Sequence, residues 1–299
     1  MVVYLNKIGI INACSDLGVN IDGTSLAPSH ISSLLNKNLI DNLYTINKVD
    51  VKKEKEPTNL KKNLGAINEF NKNIFQKASN VLNNDEFLIT IGGDHSVAIA
   101  SSLASINKYN NLGIIWIDAH PDFNTFETTT SGNIHGLPLA AVCSYKNHEL
   151  TSFLTKKYFN PQNVVVVGAR SIDPLEMKNL ENAGVTIFTT DDVKREGIKT
   201  IMNKALDIAT DNTSGVHISY DLDVIDPTQA PGVSIPVQNG FSEKEALEVM
   251  EILCNNIKVI KSLDLVEYNP LLDKNEITLN IAVRLLNNFM NERKRTDRS

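Results

Sequence analysis

Short runs rich in Val and Ile, recurring from end to end, constrain this chain more than any other feature. They cover residues 7–13, 87–91, 112–117, 163–167, 185–189, 216–220 and 258–266. Their near-continuous apolar character is that of strands buried on both faces. Between them the apolar spacing turns helical, over 67–82, 96–107, 199–209, 242–255 and 277–290. The clearest start is at Ser242, which forms a capping box with Glu245 ahead of Leu247, Met250 and Leu253. Such alternation predicts an α/β fold in which helices cover a mainly parallel sheet.

No break in composition divides the 299 residues, so a single domain over 1–299 is expected. The lysine-rich stretch 51–63, with Glu54, Glu56 and Pro57, reads as a solvated loop. The basic tail 291–299, with Arg293, Lys294, Arg295 and Arg298, reads as a frayed end. Against 29 basic residues stand 35 acidic ones, a formal charge of −6. That balance disfavours nucleic acid, which draws its affinity from clustered Lys and Arg. No apolar stretch approaches the ~20 residues of a membrane span. Cys14, Cys143 and Cys254 are scattered and form no Cys-x-x-Cys pair, as in a soluble protein of a reducing cytoplasm.

Ligands of open α/β sheets bind beyond the carboxyl ends of the strands. Here four strands run into ionisable residues. They lead to Gly92-Gly93-Asp94-His95-Ser96, to Asp118-Ala119-His120-Pro121-Asp122, to Asp221-Leu222-Asp223 and to Glu267-Tyr268-Asn269-Pro270. Residues two apart on an extended segment point to one side, so Asp118, His120 and Asp122 can converge, and so can Asp221 and Asp223. Four carboxylates aimed at one point repel and take up protons unless cations offset them. A set of carboxylates and imidazoles without thiolate suits Mn²⁺ better than structural zinc, with Co²⁺ or Fe²⁺ as substitutes. Bridged ion pairs of this kind serve hydrolysis, so metal-assisted hydrolysis is the expected reaction class.

These motifs, in this order, resemble the signatures of the ureohydrolase family, and within it the arginases. The matching segments are Ile91–Ser96, Asp118–Asp122, Ser219–Asp223 and Asp264–Pro270, with Asp16-Leu17-Gly18 and Ala27–Ile31 earlier in the chain. The resemblance implies a three-layer α/β/α sandwich around an eight-stranded, mostly parallel sheet, assembled as a trimer or hexamer. It implies two Mn²⁺ per subunit, one held by His95, Asp118, Asp122 and Asp221, the other by Asp118, His120, Asp221 and Asp223. Glu267 would pair with a guanidinium and His135 would shuttle protons. Asn124, Ser131 and Asn133 would grip an amino-acid carboxylate, and Asp173 the α-ammonium. The implied reaction is hydrolysis of L-arginine to L-ornithine and urea by a metal-bridging hydroxide, with Asp223 or Asp221 relaying a proton.

Neutral amide and hydroxyl donors left unpaired cost about 1–3 kcal/mol, so the 124–136 segment favours L-arginine over agmatine. Ser234-Ile235 departs from the family's usual Gly-Thr and removes a hydroxyl near the guanidinium. An agmatinase, a formimidoyl-group hydrolase and a catalytically silent family member are the competing readings at this point.

Overall fold

The computed structural model describes residues 7–54, 56, 58–146 and 148–296. Eight strands form one sheet: β1 (Lys7–Ala13), β2 (Asn42–Ile46), β3 (Glu86–Gly92), β4 (Gly113–Ile117), β5 (Val164–Ala169), β6 (Thr186–Thr189), β7 (Val216–Asp221) and β8 (Ile260–Val266). The order is β2-β1-β3-β8-β7-β4-β5-β6. Every pairing is parallel, where the resemblance implied a mostly parallel sheet. The central strands are buried throughout, as their unbroken apolar runs require. The edge strand β2 escapes the apolar-run criterion because its residues alternate between half-buried and exposed.

Helices cover both faces. α2 (Leu64–Asn83), α3 (Ala98–Tyr109) and α4 (Pro138–Val142) pack together on one side. On the other lie α1 (Ala27–Leu34), α6 (Thr190–Glu196), α7 (Ile198–Thr210), α8 (Glu243–Asn255) and α9 (Ile277–Arg295), in a continuous series of contacts. The largest apolar cluster joins this second layer to the sheet, through Ile8, Ile89, Ile115, Ile218, Leu263, Met250 and Phe289. α5 (Pro174–Ala183) begins after Asp173. The Ser242–Glu245 capping box is present at the start of α8. Among the described residues no helix is long and apolar enough to cross a membrane.

Two surface expectations need correction. α9 continues through Arg295, so the basic segment is helical to that point rather than frayed. Arg293 is buried, donates to the Ile257 carbonyl at 2.9 Å and lies over the Phe87 ring. Arg298 lies outside the described residues. The lysine-rich stretch is not wholly solvated either: Lys62 and Asn63 are buried, and Lys53 pairs with Asp16 and Asp22.

Candidate metal centre and substrate site

The strands β3, β8, β7 and β4 are neighbours at the middle of the sheet. The chain visits β3 early and returns to fill the gap with β7 and β8 last, so their carboxyl ends flank the crevice where such sheets bind ligands. Beyond β3 the backbone passes so close to Ser15 that a Cβ on Gly93 would lie 1.7 Å from the Ser15 carbonyl oxygen. Asp94 then accepts the Ser96 N–H at 3.0 Å, capping a short turn that presents His95. Asp122 and Glu267 hold left-handed backbone conformations, at φ 54° and 67°, which non-glycine residues seldom adopt.

Around His95 Nδ1 lie three carboxylate oxygens: Asp118 Oδ2 at 3.0 Å, Asp122 Oδ2 at 3.1 Å and Asp221 Oδ2 at 3.0 Å. His120 Nδ1 lies 2.9 Å from Asp223 Oδ2 and 3.6 Å from Asp118 Oδ1. Two ligand groups result, His95–Asp118–Asp122 and Asp118–His120–Asp223, and Asp118 belongs to both. All six residues implied by the motifs are thus brought together. Asp221 reaches the first group through Oδ2, while its Oδ1 accepts the Asp223 N–H at 2.7 Å.

The cluster is electrostatically costly as it stands. Burial and the charge of Asp118 push Asp122 up to about 7. Burial, with the charges of neighbouring aspartates, also raises Asp221 and Asp223. Burial opposes ionisation of Asp118 too, but the two flanking imidazoles hold it low. Burial disfavours the charged imidazole of His95 and of His120, yet the surrounding carboxylates raise both.

The chemistry of these residues fits metal binding. His95 Nδ1 is buried and makes no hydrogen bond, although three oxygens surround it. The ring nitrogen therefore points between the carboxylates rather than at one of them. Separations near 3.0 Å match the edge of a coordination shell, since ligands at right angles and ~2.1 Å from an ion lie ~3.0 Å apart. His95 Nε2 meets Ser219 Oγ at 2.9 Å, a contact that leaves Nδ1 as the ligating nitrogen. The Trp116 ring stacks on His95 with centroids 4.0 Å apart, and its indole N–H donates to Asp118 Oδ2 at 2.9 Å. Nothing in the sequence alone marks Trp116 and Ser219 for these contacts. Their signals, a tryptophan on the strand leading to Asp118 and a serine two before Asp221, emerge only once the strands pair.

Glu267 and His135 sit beside the cluster. Glu267 Oε1 accepts the His95 N–H at 2.8 Å and lies 3.1 Å from His135 Nδ1. Glu267 Oε2 is buried with no hydrogen-bond partner among the described residues. Burial disfavours the charged form of His135, but Glu267, with Asp122 and Asp94 farther off, raises its pKa. Its backbone is fixed by the Gly18 carbonyl, which accepts the His135 N–H at 3.1 Å.

The remaining candidates form two groups. Asn124 Nδ2 donates to Asp173 Oδ2 at 3.2 Å. Ser131 and Asn133 share a turn, in which Ser131 Oγ accepts the Asn133 N–H at 3.2 Å; Ser131 is exposed and Asn133 half-buried. Glu176, absent from the motif-based set, ties the first group together. It accepts the Phe123 N–H at 2.8 Å and the Asp173 N–H at 3.2 Å. Its signal was the spacing Asp173-x-x-Glu176, a helix-start pattern.

Arg170 was missed as well. Its guanidinium donates to the carbonyls of Asp223, Val224, Val237, Gln238 and Gly168, at 2.7–3.3 Å. It thereby clamps the segment 237–238 to the turn that carries Asp223. Ser234 is buried and accepts from Asn269 Nδ2 at 3.0 Å, while Ile235 is half-buried. A bridge between Val233 and Tyr268 holds this segment beside Glu267.

A family model described as the Arginase family matches residues 6–291. The chain belongs to the arginase family. The curated arginase of Bacillus subtilis strain 168 is 36% identical over 298 residues, covering 96% of this chain and 98% of its own. The crystal structure of the arginase from Bacillus caldovelox superposes with a TM-score of 0.88 at 34% identity, over 95% of this chain and 98% of that one. The Entamoeba histolytica arginase in complex with L-ornithine gives a TM-score of 0.88 at 29% identity, over 96% and 99% of the two chains. The family resemblance read from the motifs is thus borne out.

Proposed function

We propose that this protein is an arginase that hydrolyses L-arginine to L-ornithine and urea with two Mn²⁺ per subunit. The observation that carries the reading is the junction of two features: a shared-carboxylate ligand cluster, and Glu267, which touches the cluster through the His95 N–H and turns a buried, unpartnered Oε2 outward from that bond. A buried carboxylate oxygen without a donor is costly, and a planar guanidinium supplies the missing donors.

In this reading His95, Asp118, Asp122 and Asp221 hold one ion, and Asp118, His120, Asp221 and Asp223 the other. The ions supply an acidic water and offset the carboxylate charge. Glu267 Oε2 orients the guanidinium so that its carbon faces the cluster. Asp223 or Asp221 would take up or relay the proton that the attacking water gives up. His135 Nδ1 is engaged by Glu267 Oε1, which leaves Nε2 to deliver a proton to the departing amine. Asn124, Ser131 and Asn133 bind the substrate carboxylate, and Asp173 the α-ammonium. Ile235 replaces a polar contact to the guanidinium with an apolar wall and leaves charge recognition to Glu267.

The same reading makes 1–299 a single functional domain acting in the cytoplasm, as a trimer or hexamer, on a small molecule rather than nucleic acid or membrane. Urea release from Mn²⁺-loaded protein tests it, with L-arginine and agmatine compared at equal concentration. Urea from arginine, far less from agmatine, and none with Glu267→Ala is the expected result. Activity on agmatine in preference to arginine overturns the substrate assignment.

A further inference from the structure

Lys62 sits two residues ahead of α2, in the stretch whose composition suggested a solvated loop, yet only 4% of it is exposed. Its Nζ donates to the Ser131 carbonyl at 2.5 Å, and its backbone N–H to the Gly132 carbonyl at 3.3 Å. Gly132 has φ +71°, and a Cβ there would lie 2.2 Å from the Asn59 carbonyl oxygen. Asn63, also buried, donates to the Leu17 carbonyl at 2.8 Å. Segment 59–63 is therefore strapped against the turn 131–133.

The charge of Lys62 is the unusual part. Among the described residues no carboxylate pairs with its ammonium, and its side-chain partner is a neutral carbonyl. A buried cation satisfied only by neutral groups is costly, and an anion arriving nearby lowers that cost. The carbonyl it holds belongs to Ser131, one of the residues assigned to the substrate carboxylate.

We propose that Lys62 is a positioning and specificity residue, which sets the 131–133 turn and gives it a positive potential that selects substrates ending in a carboxylate. This inference rests on the arginase reading. A guanidino compound with a bare amine or methylene end gains nothing from the ammonium, so discrimination arises from charge as well as from the neutral donors of the turn.

Lys62→Gln separates the two contributions, because the amide can still donate to the Ser131 carbonyl while the charge is gone. In Mn²⁺-loaded enzyme, K62Q is expected to raise KM for L-arginine about tenfold with kcat little changed. By calorimetry, the Kd of L-ornithine rises by a similar factor while that of putrescine, which lacks the carboxylate, stays as in wild type. K62R, which keeps the charge, restores most of the loss. Ornithine affinity unchanged in K62Q overturns the proposal. Equal weakening of ornithine and putrescine, or a fall confined to kcat, also overturns it, since either marks a purely structural brace. Failure of the arginase reading is distinguishable, because wild-type protein then releases no urea from arginine.

Discussion

Glu267 Oε1 accepts the backbone N–H of His95 at 2.8 Å, so the carboxylate assigned to the substrate and an imidazole assigned to the metal move as one unit. Glu267 follows β8 and His95 follows β3, and these strands are hydrogen-bonded neighbours. The parallel register thus sets the distance between the ligand cluster and the carboxylate proposed to meet the guanidinium.

Glu267→Gln separates charge from scaffolding. The amide oxygen can still accept the His95 N–H, while pairing with the guanidinium loses its charge. Removing a preorganised charged contact in a buried site costs about 3 kcal/mol, or roughly a hundredfold in kcat/KM. Steady-state urea release should show that loss with Mn²⁺ binding retained; unchanged turnover contradicts the assignment.

Ser219→Ala removes the hydroxyl that meets His95 Nε2. Loss of such an outer contact typically weakens metal affinity by about 10–100-fold. Titration of chelated protein with Mn²⁺, followed by the paramagnetic resonance of the free ion, measures it. The variant should saturate once excess ion is supplied, because the ligands themselves remain.

How much of this was legible before folding depends on the residue. The six cluster ligands could be read because each lies at or just beyond a strand end. They converge through bends and a 3-10 turn, in which Asp118 and Asp221 accept the His120 and Asp223 N–H groups, rather than through extended alternation. Trp116, Ser219, Arg170, Glu176 and Lys62 could not. Arg170 and Lys62 hold backbone carbonyls, which leave no mark in a sequence. Ser219, Trp116 and Glu176 take their places only when His95 and Phe123 are brought beside them from elsewhere in the chain. β2 was lost for another reason: as an edge strand it buries too little to show a continuous apolar run. Lys62 reads as solvated on composition, because a lysine run carries no sign of which ammonium turns inward.

Burial pushes the Glu176 carboxyl up to about 8, opposed by the Phe123 N–H and reinforced by the charge of Asp122. In the unfolded chain the same group titrates near ~4.3. With the folded value above the unfolded one, its contribution to stability is complete below ~4.3 and is lost as pH rises through about 8. Denaturant unfolding of wild type between those limits should show stability falling with pH. Glu176→Gln should flatten that slope, and an unaltered slope contradicts the assignment.

Arg170→Lys tests the clamp on the Asp223 turn. One ammonium cannot reach the carbonyls that the guanidinium fork spans. Leaving buried carbonyls unpaired costs about 1–3 kcal/mol each. A lower melting temperature and weaker binding of the ion assigned to Asp223 are expected together. A normal melting temperature with normal Mn²⁺ affinity contradicts this role.

The most direct test of the central claim is urea release from L-arginine as Mn²⁺ is added stepwise to chelated protein. If Asp118 and Asp221 join two ions in one hydrolytic centre, activity reaches its plateau at two equivalents per chain, and Asp118→Asn abolishes it. Full activity at one equivalent, or persistence of urea release in the Asp118→Asn protein, contradicts the account.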